Sequence, residues 1–317
     1  MKITFQQIEE AHQRIAPYIH RTPVMTNSTI NKMIGAELYF KCENFQKIGA
    51  FKIRGGMNAS LGLSAEKLKK GITTHSSGNH AQAIAYAAKT LNTKAYVVMP
   101  TNSPVVKINA VRDYGAEIFF CEPNQAAREI TVQKIIDQTG AEFIHPFDDY
   151  RVITGQATCV KELIEDFPDI DTILAPIGGG GLFSGTCLST SFMLPYAKIY
   201  GAEPEGASDA SLSIKSGKVE KTPFYNSIAD GLLTSLSDKT LTIIKAHVKE
   251  ILLVSEEEIK SALRLIYERM KIVVEPSGVV AFTAVLKNKE LFAGKKIGII
   301  LSGGNVDFSK LGEWFSK

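Results

Sequence analysis

Four consecutive glycines, Gly178 to Gly181, follow the apolar run Ile173-Leu174-Ala175-Pro176-Ile177. The residues after them, Leu182 to Leu188, read as a helix start. A buried strand thus enters a turn without side chains and leaves it as a helix. Such a turn gathers several backbone N–H donors at the positive end of a helix dipole, which suits a phosphate group. Glycine-rich turns also serve close packing alone, but glycine costs backbone entropy on folding, and four in succession ask for a stronger reason. No Gly-x-x-x-x-Gly-Lys-Ser/Thr occurs, and Leu182 and Phe183 spoil Gly-x-Gly-x-x-Gly. Nucleotide hydrolysis and dinucleotide binding are therefore disfavoured, and the phosphate is expected to belong to another cofactor.

The second chemical segment is Gly49-Ala50-Phe51-Lys52-Ile53-Arg54-Gly55-Gly56. Read plainly, Lys52 is a lysine snorkelling from a helix N-terminus. Read chemically, it is an amine desolvated enough to be partly neutral, the form that attacks a carbonyl. A reactive lysine beside a phosphate cradle with no nucleotide motif points to pyridoxal phosphate.

These segments need a scaffold. Short apolar strands are expected at Leu38–Cys42, Ile72–His75, Ala95–Met99, Glu117–Cys121, Phe143–His145, Thr172–Ile177, Lys198–Ala202, Glu250–Val254 and Lys296–Leu301. Helical patterns alternate with them at Asn79–Thr90, Pro104–Tyr114, Gln125–Thr139, Gly155–Asp166 and Glu256–Met270. Thr4-Phe5-Gln6-Gln7 and Ser255-Glu256-Glu257-Glu258 read as capping boxes. The alternation predicts an α/β fold: two open, mostly parallel twisted sheets covered by helices. Breaks at Leu63–Gly71 and Pro146–Tyr150 divide it into a large domain, 1–69 and 149–317, and a smaller inserted domain, 70–148. Ligands of open parallel sheets sit beyond the carboxyl ends of strands. The glycine run, Ser302-Gly303-Gly304-Asn305 and Ser76-Ser77-Gly78-Asn79 all follow strands and could converge on one cleft.

The bulk numbers exclude other classes. The chain has 317 residues, 44% of them hydrophobic, which is enough for two domains or one large unit with a subdomain. A net charge of +3 with scattered basic residues gives no nucleic-acid surface. Cys42, Cys121, Cys159 and Cys187 lie far apart with no Cys-x-x-Cys pair, which suggests reduced cytoplasmic thiols rather than disulfides or zinc. The six histidines show no His-Glu-x-x-His pattern. The N-terminus reads as an amphipathic helix rather than a signal peptide, and no apolar stretch is long enough to span a bilayer. A soluble, cytoplasmic protein is expected.

Gly-Ala-Phe-Lys-Ile-Arg-Gly-Gly, Ser-Ser-Gly-Asn-His-Ala-Gln-Ala (Ser76–Ala83), Gly-Gly-Gly-Gly-Leu, Glu-Pro-Ser-Gly (Glu275–Gly278) and Leu-Ser-Gly-Gly-Asn (Leu301–Asn305) occur in this order. Together they resemble the serine/threonine dehydratase and serine racemase family, pyridoxal-phosphate enzymes of fold type II. The resemblance covers essentially the whole chain. It implies that Lys52 holds the cofactor aldehyde covalently with Phe51 beside it, and that Asn79 bonds the ring hydroxyl. Gly178, Gly179, Gly180, Gly181 and Leu182 would cradle the phosphate, Glu275 would belong to the cofactor site, and Ser302 would face the pyridine nitrogen. Without the family, Ser302 is equally a turn serine. A hydroxyl there does not enforce ring protonation as a carboxylate would, which favours rapid expulsion of a β-substituent. Ser76, Ser77, Gly78, Asn79 and His80 would bind the substrate carboxylate at a helix N-terminus.

Ser77 also carries a second implication. Racemase-like members of the family have serine here, acting as acid and base opposite the lysine, whereas many threonine dehydratases have alanine. A helix-start serine needs no such role. Glu203-Pro204-Glu205-Gly206-Ala207-Ser208-Asp209 reads from composition as an acidic surface loop. It resembles the divalent-cation site of serine racemases and hydroxyaspartate dehydratases, in which Glu203, the Ala207 carbonyl and Asp209 would hold Mg²⁺, Ca²⁺ or Mn²⁺. Arg128 reads as a solvated helix charge beside Glu129, or, through the racemase resemblance, as a contact to a substrate carboxylate.

The expected activity is therefore an L-threonine/L-serine dehydratase, releasing 2-oxobutanoate or pyruvate with ammonia. A serine racemase or a threo-3-hydroxyaspartate dehydratase is the alternative. A catalytically silent amino-acid or cofactor-binding protein is disfavoured by the intact Lys52, and a β-replacement synthase by the Ser-Ser-Gly-Asn-His loop. The family implies a homodimer. The chain ends soon after the Ser302 motif, so feedback inhibition through a C-terminal regulatory domain is not expected.

Overall fold

The computed structural model describes residues 3–222 and 225–316. Its strands are β1 (Val24–Met25), β2 (Glu37–Cys42), β3 (Ile72–His75), β4 (Ala95–Pro100), β5 (Glu117–Cys121), β6 (Glu142–Phe143), β7 (Thr172–Pro176), β8 (Lys198–Pro204), β9 (Glu250–Val254) and β10 (Lys296–Leu301). They form a six-stranded sheet, ordered β1-β2-β10-β7-β8-β9, and a four-stranded sheet, ordered β5-β4-β3-β6. The short β1 pairs antiparallel with β2 at one edge, and the remaining pairings are parallel.

A parallel sheet covered on both faces needs strands that are apolar throughout rather than alternating. β7 and β4 are buried along their whole length. The helix Pro276–Lys287 packs on β7, β8, β9 and β10 from one face, and Gly181–Met193 packs on β7 and on Tyr150–Asp166. Gly185 permits that last contact, because a Cβ there would fall 2.6 Å from the Ala157 backbone nitrogen. Both expected capping boxes are present, at Thr4 and Ser255.

Some boundaries differ from expectation. The strand expected at Phe143–His145 is Glu142–Phe143, because the chain leaves the sheet to turn around His145. The helix expected from Gly155 begins at Tyr150, where Asp149 caps it by accepting from Arg151 N. The break at Leu63–Gly71 contains a helix, Ala65–Lys70, capped by Ser64. β1 has no isolated signal, since two residues pair only because β2 offers an edge.

The four-stranded sheet lies within 72–143. Its core is shared, however. Ile15, Ile48, Ile53 and Met57 pack in the same cluster as Ile84, Val97 and Val111. No helix among the described residues is long and apolar enough to cross a membrane.

Candidate active site

The loops after β3, β6, β7 and β10 meet at one cleft. Phe51 N donates to the Ser302 carbonyl at 3.1 Å and Gly304 N to the Gly49 carbonyl at 2.8 Å, joining the lysine segment to the loop after β10. The cleft encloses a cavity of about 420 Å³ lined by Phe51 and Lys52, the Ser76–His80 loop, Arg128, Gly178–Leu182, Glu275 and Ser302. Every expected cofactor and substrate residue thus reaches one space. Glu203, Ala207 and Asp209 lie outside its lining.

Lys52 opens the helix Lys52–Leu61. Its Nζ donates to the Pro146 carbonyl at 3.1 Å and sits 5.2 Å from the Phe51 ring centroid. Burial lowers the ammonium to about 8, so a useful fraction of neutral amine exists near neutral pH. Arg54, two residues on, points into a buried ion cluster. It donates to Glu43 at 2.8 and 2.9 Å and to Glu162 at 2.7 and 2.8 Å, while Lys41 reaches Glu162 at 2.7 Å. This cluster anchors the helix that carries Lys52.

Gly180 adopts the left-handed conformation, φ 84°, and the helix begins at Gly181. A Cβ on Gly179 would sit 2.2 Å from the Phe147 ring, so the turn has room for no side chain there. Asn79 Nδ2 donates to Glu275 Oε1 at 2.6 Å, and Asn305 Nδ2 donates to Asn79 Oδ1 at 2.9 Å. The second Asn79 N–H remains for a ligand. A desolvated lysine, a side-chain-free turn at a helix N-terminus and a fixed amide donor on one cavity fit pyridoxal phosphate.

A family model described as "Pyridoxal-phosphate dependent enzyme" matches residues 15–303. The chain belongs to the pyridoxal-phosphate-dependent enzyme family. It is 50% identical to a serine racemase of Dictyostelium discoideum, over 98% of this chain and 97% of that one. It is 48% identical to a beta-hydroxyaspartate dehydratase of Paracoccus denitrificans, over 97% and 98%. Among solved structures, a maize serine racemase aligns with a TM-score of 0.96 at 43% identity, covering 99% of this chain and 97% of that one. This pyridoxal-phosphate-dependent enzyme is thus of the serine racemase and dehydratase group, with the fold type II architecture.

The remaining residues of this family member divide clearly. Ser76 Oγ accepts from Gly78 N at 3.2 Å at the mouth of the helix Asn79–Thr90. The His80 ring is buried, with Nε2 3.2 Å from the Ile144 carbonyl, which leaves its backbone N–H rather than its ring for a carboxylate. Arg128 is half-buried, not solvated. Its Nε is buried without a hydrogen-bond partner, and it forms no ion pair among the described residues. Burial lowers its pKa.

Glu203 accepts from Ala210 N at 3.0 Å and Ser211 N at 2.8 Å. Both Asp209 carboxylate oxygens are buried without a hydrogen-bond partner. Burial lifts Asp209 to about 6 and Glu203 well above its ordinary value. Among the described residues no three His, Cys, Asp or Glu side chains converge as a metal cluster, so a cation here would rest on two carboxylates and the Ala207 carbonyl.

Sequence reasoning missed Lys107 and Asp230. Lys107 is buried, bridges Asp230 at 2.6 Å and approaches Glu275 at 3.5 Å, linking the helix Val105–Asp113 to the larger sheet's side. Nothing local marks a single lysine as buried. The four cysteines are free and buried.

Proposed function

We propose that this protein is a serine racemase with accompanying dehydratase activity, and the observation that carries the reading is Ser77 lining the same cavity as Lys52. A dehydratase needs one acid/base group at Cα, whereas a racemase needs two. Bound pyridoxal phosphate supplies the electron withdrawal that makes the Cα proton removable. Lys52, as a partly neutral amine, takes that proton. The Ser77 hydroxyl holds the proton returned from the other side, which inverts the centre. The N–H groups opening the helix Asn79–Thr90 bind the substrate carboxylate. When the β-hydroxyl leaves instead as water, one water then adds back, and L-serine yields pyruvate and ammonia.

A second reading, threo-3-hydroxyaspartate dehydratase, is favoured by Arg128. A guanidinium with a buried, unpartnered Nε on the cavity wall suits a second carboxylate, which serine and threonine lack. Threonine deamination has support at family level, through the crystal structure of a T.th. threonine deaminase, at 39% identity and a TM-score of 0.92. We also infer a divalent cation at Glu203, the Ala207 carbonyl and Asp209, supported by the orphaned Asp209 oxygens, and, on family grounds, a cytoplasmic homodimer.

The test supplies cofactor-loaded protein with L-serine, L-threonine and L-threo-3-hydroxyaspartate, measuring ammonia, 2-oxo acid and the chirality of remaining serine. D-Serine formation abolished by Lys52→Ala supports the racemase. Fast oxo-acid release from hydroxyaspartate alone, lost in Arg128→Met, selects the second reading. Oxo acid from threonine with no D-serine returns the enzyme to the threonine dehydratases.

A further inference from the structure

We propose that His145 is a specificity-determining residue of this site, a tautomer-locked donor whose Nε2–H holds an oxygen on the substrate's β-carbon. The assignment rests on reading the site as one for β-hydroxy amino acids.

His145 follows β6, where the chain turns back toward the cavity. Its Nδ1 accepts from Phe147 N at 3.2 Å and from Asp148 N at 2.8 Å. A ring nitrogen that accepts carries no proton, so the neutral ring must carry its single proton on Nε2. Protonating Nδ1, or flipping the ring, would orphan both backbone donors. The ring is also held edge-on by Phe147 at 4.6 Å, His75 at 5.7 Å and Phe143 at 5.8 Å.

Charge works in the same direction. Burial holds the ring down to about 4, with Lys52 and Lys239 opposing a second proton and Asp148 and Asp149 favouring one. The ring is therefore neutral through the physiological range. His145 lines the cavity with Lys52 and Arg128, and Nε2 has no acceptor among the described residues. The turn consumes one nitrogen and leaves the other to whatever enters. A neutral imidazole N–H is too weak an acid to surrender its proton, so its contribution is to orient an oxygen lone pair.

The same turn faces the chemistry from behind. Pro146, the next residue, offers its carbonyl to Lys52, and Phe147 packs under Gly179. A β-oxygen held by His145 would therefore lie on the side of the cavity where the lysine works.

The test compares L-serine with β-chloro-L-alanine on the cofactor-loaded full chain. β-Chloro-L-alanine loses a proton and chloride, and added water then gives pyruvate and ammonia; its leaving group needs no such donor. In His145→Asn, the amide oxygen keeps the near acceptor and the distal donor is lost. Its kcat/KM for L-serine should fall about tenfold or more, while that for β-chloro-L-alanine stays within about twofold. ¹⁵N-histidine NMR of the wild type should show Nδ1 bare and Nε2 protonated at about pH 5 and pH 8. Equal losses on both substrates, an unaffected serine rate, or a proton on Nδ1 would overturn the assignment. A wild type that turns over neither substrate overturns the functional reading first, and this assignment with it.

Discussion

Asn79 donates its amide to Glu275 Oε1 at 2.6 Å. The carboxylate is fully buried, and burial lifts it to about 7 against the opposing pull of Lys107. A donor on the wall of the cavity is thus aimed by a group whose own position depends on a lysine from the other sheet's side. Glu275→Ala should leave the Asn79 N–H without its acceptor, with only Asn305 to orient the amide, and Lys107 with Asp230 as its one remaining carboxylate. Affinity for pyridoxal phosphate should fall about tenfold, the equivalent of losing one charge-assisted hydrogen bond. Fluorescence titration of the apoprotein measures it, and an unchanged affinity would show that Asn305 alone orients the amide.

Lys52 has its ammonium lowered from 10.5 to about 8 by burial. The unfolded chain therefore binds more protons than the folded one between these values, so apoprotein stability rises as pH climbs from about 8 to about 10.5. Lys52→Met should flatten that rise and stabilise the apoprotein at pH 7 by about 3 kcal/mol. Urea unfolding at several pH values tests both. A flat wild-type profile would mean that water reaches the amine.

Gly179→Ala places a methyl 2.2 Å from the Phe147 ring. The loop or the ring must move, and overpacking of this kind costs about 1–3 kcal/mol. Cofactor retention should drop with thermal stability, and Phe147→Leu in the same chain should restore part of both.

Glu162 sits between Arg54 and Lys41. Burial disfavours its charge, but the two cations bring it down to about 2. Its stabilising contribution is present above the ordinary carboxylate value of about 4.5 and lost as pH falls through about 2. Glu162→Gln leaves two buried cations short of an anion and should cost about 3–5 kcal/mol. Denaturant melts at pH 7 should show most of that loss, with wild type and variant converging in acid.

Asp209 carries two buried carboxylate oxygens that lack partners. Saturating Mg²⁺, Ca²⁺ or Mn²⁺ should raise the melting temperature by roughly 2–4 °C or more. Asp209→Asn should remove the response without lowering cofactor affinity. A wild type indifferent to all three ions would leave the loop without a metal.

The chemistry of the site was largely legible in the chain. The glycine run, Lys52, the Ser76–His80 loop and Ser302 are each contiguous signals, because a cradle, a helix start or a strand-end turn is built from neighbouring residues. Their meeting on one cavity followed from strand alternation, since parallel strands deliver their carboxyl-end loops to the same side. Residues whose role depends on partners far along the chain were illegible. Lys107 lies 123 residues from Asp230, and His80 is tied to Ile144 across 64.

Composition could call Arg128 a solvated charge because exposure is decided by what packs over a side chain, not by the side chain itself. His145 is the sharpest case. The sequence determined that a histidine stands here, but only the turn that brings two backbone N–H groups onto Nδ1 decided which nitrogen carries the proton. Local sequence sets the backbone and the kinds of chemistry available. Burial, tautomer and charge state belong to the tertiary environment, because desolvation and hydrogen bonding are properties of neighbours brought together by folding.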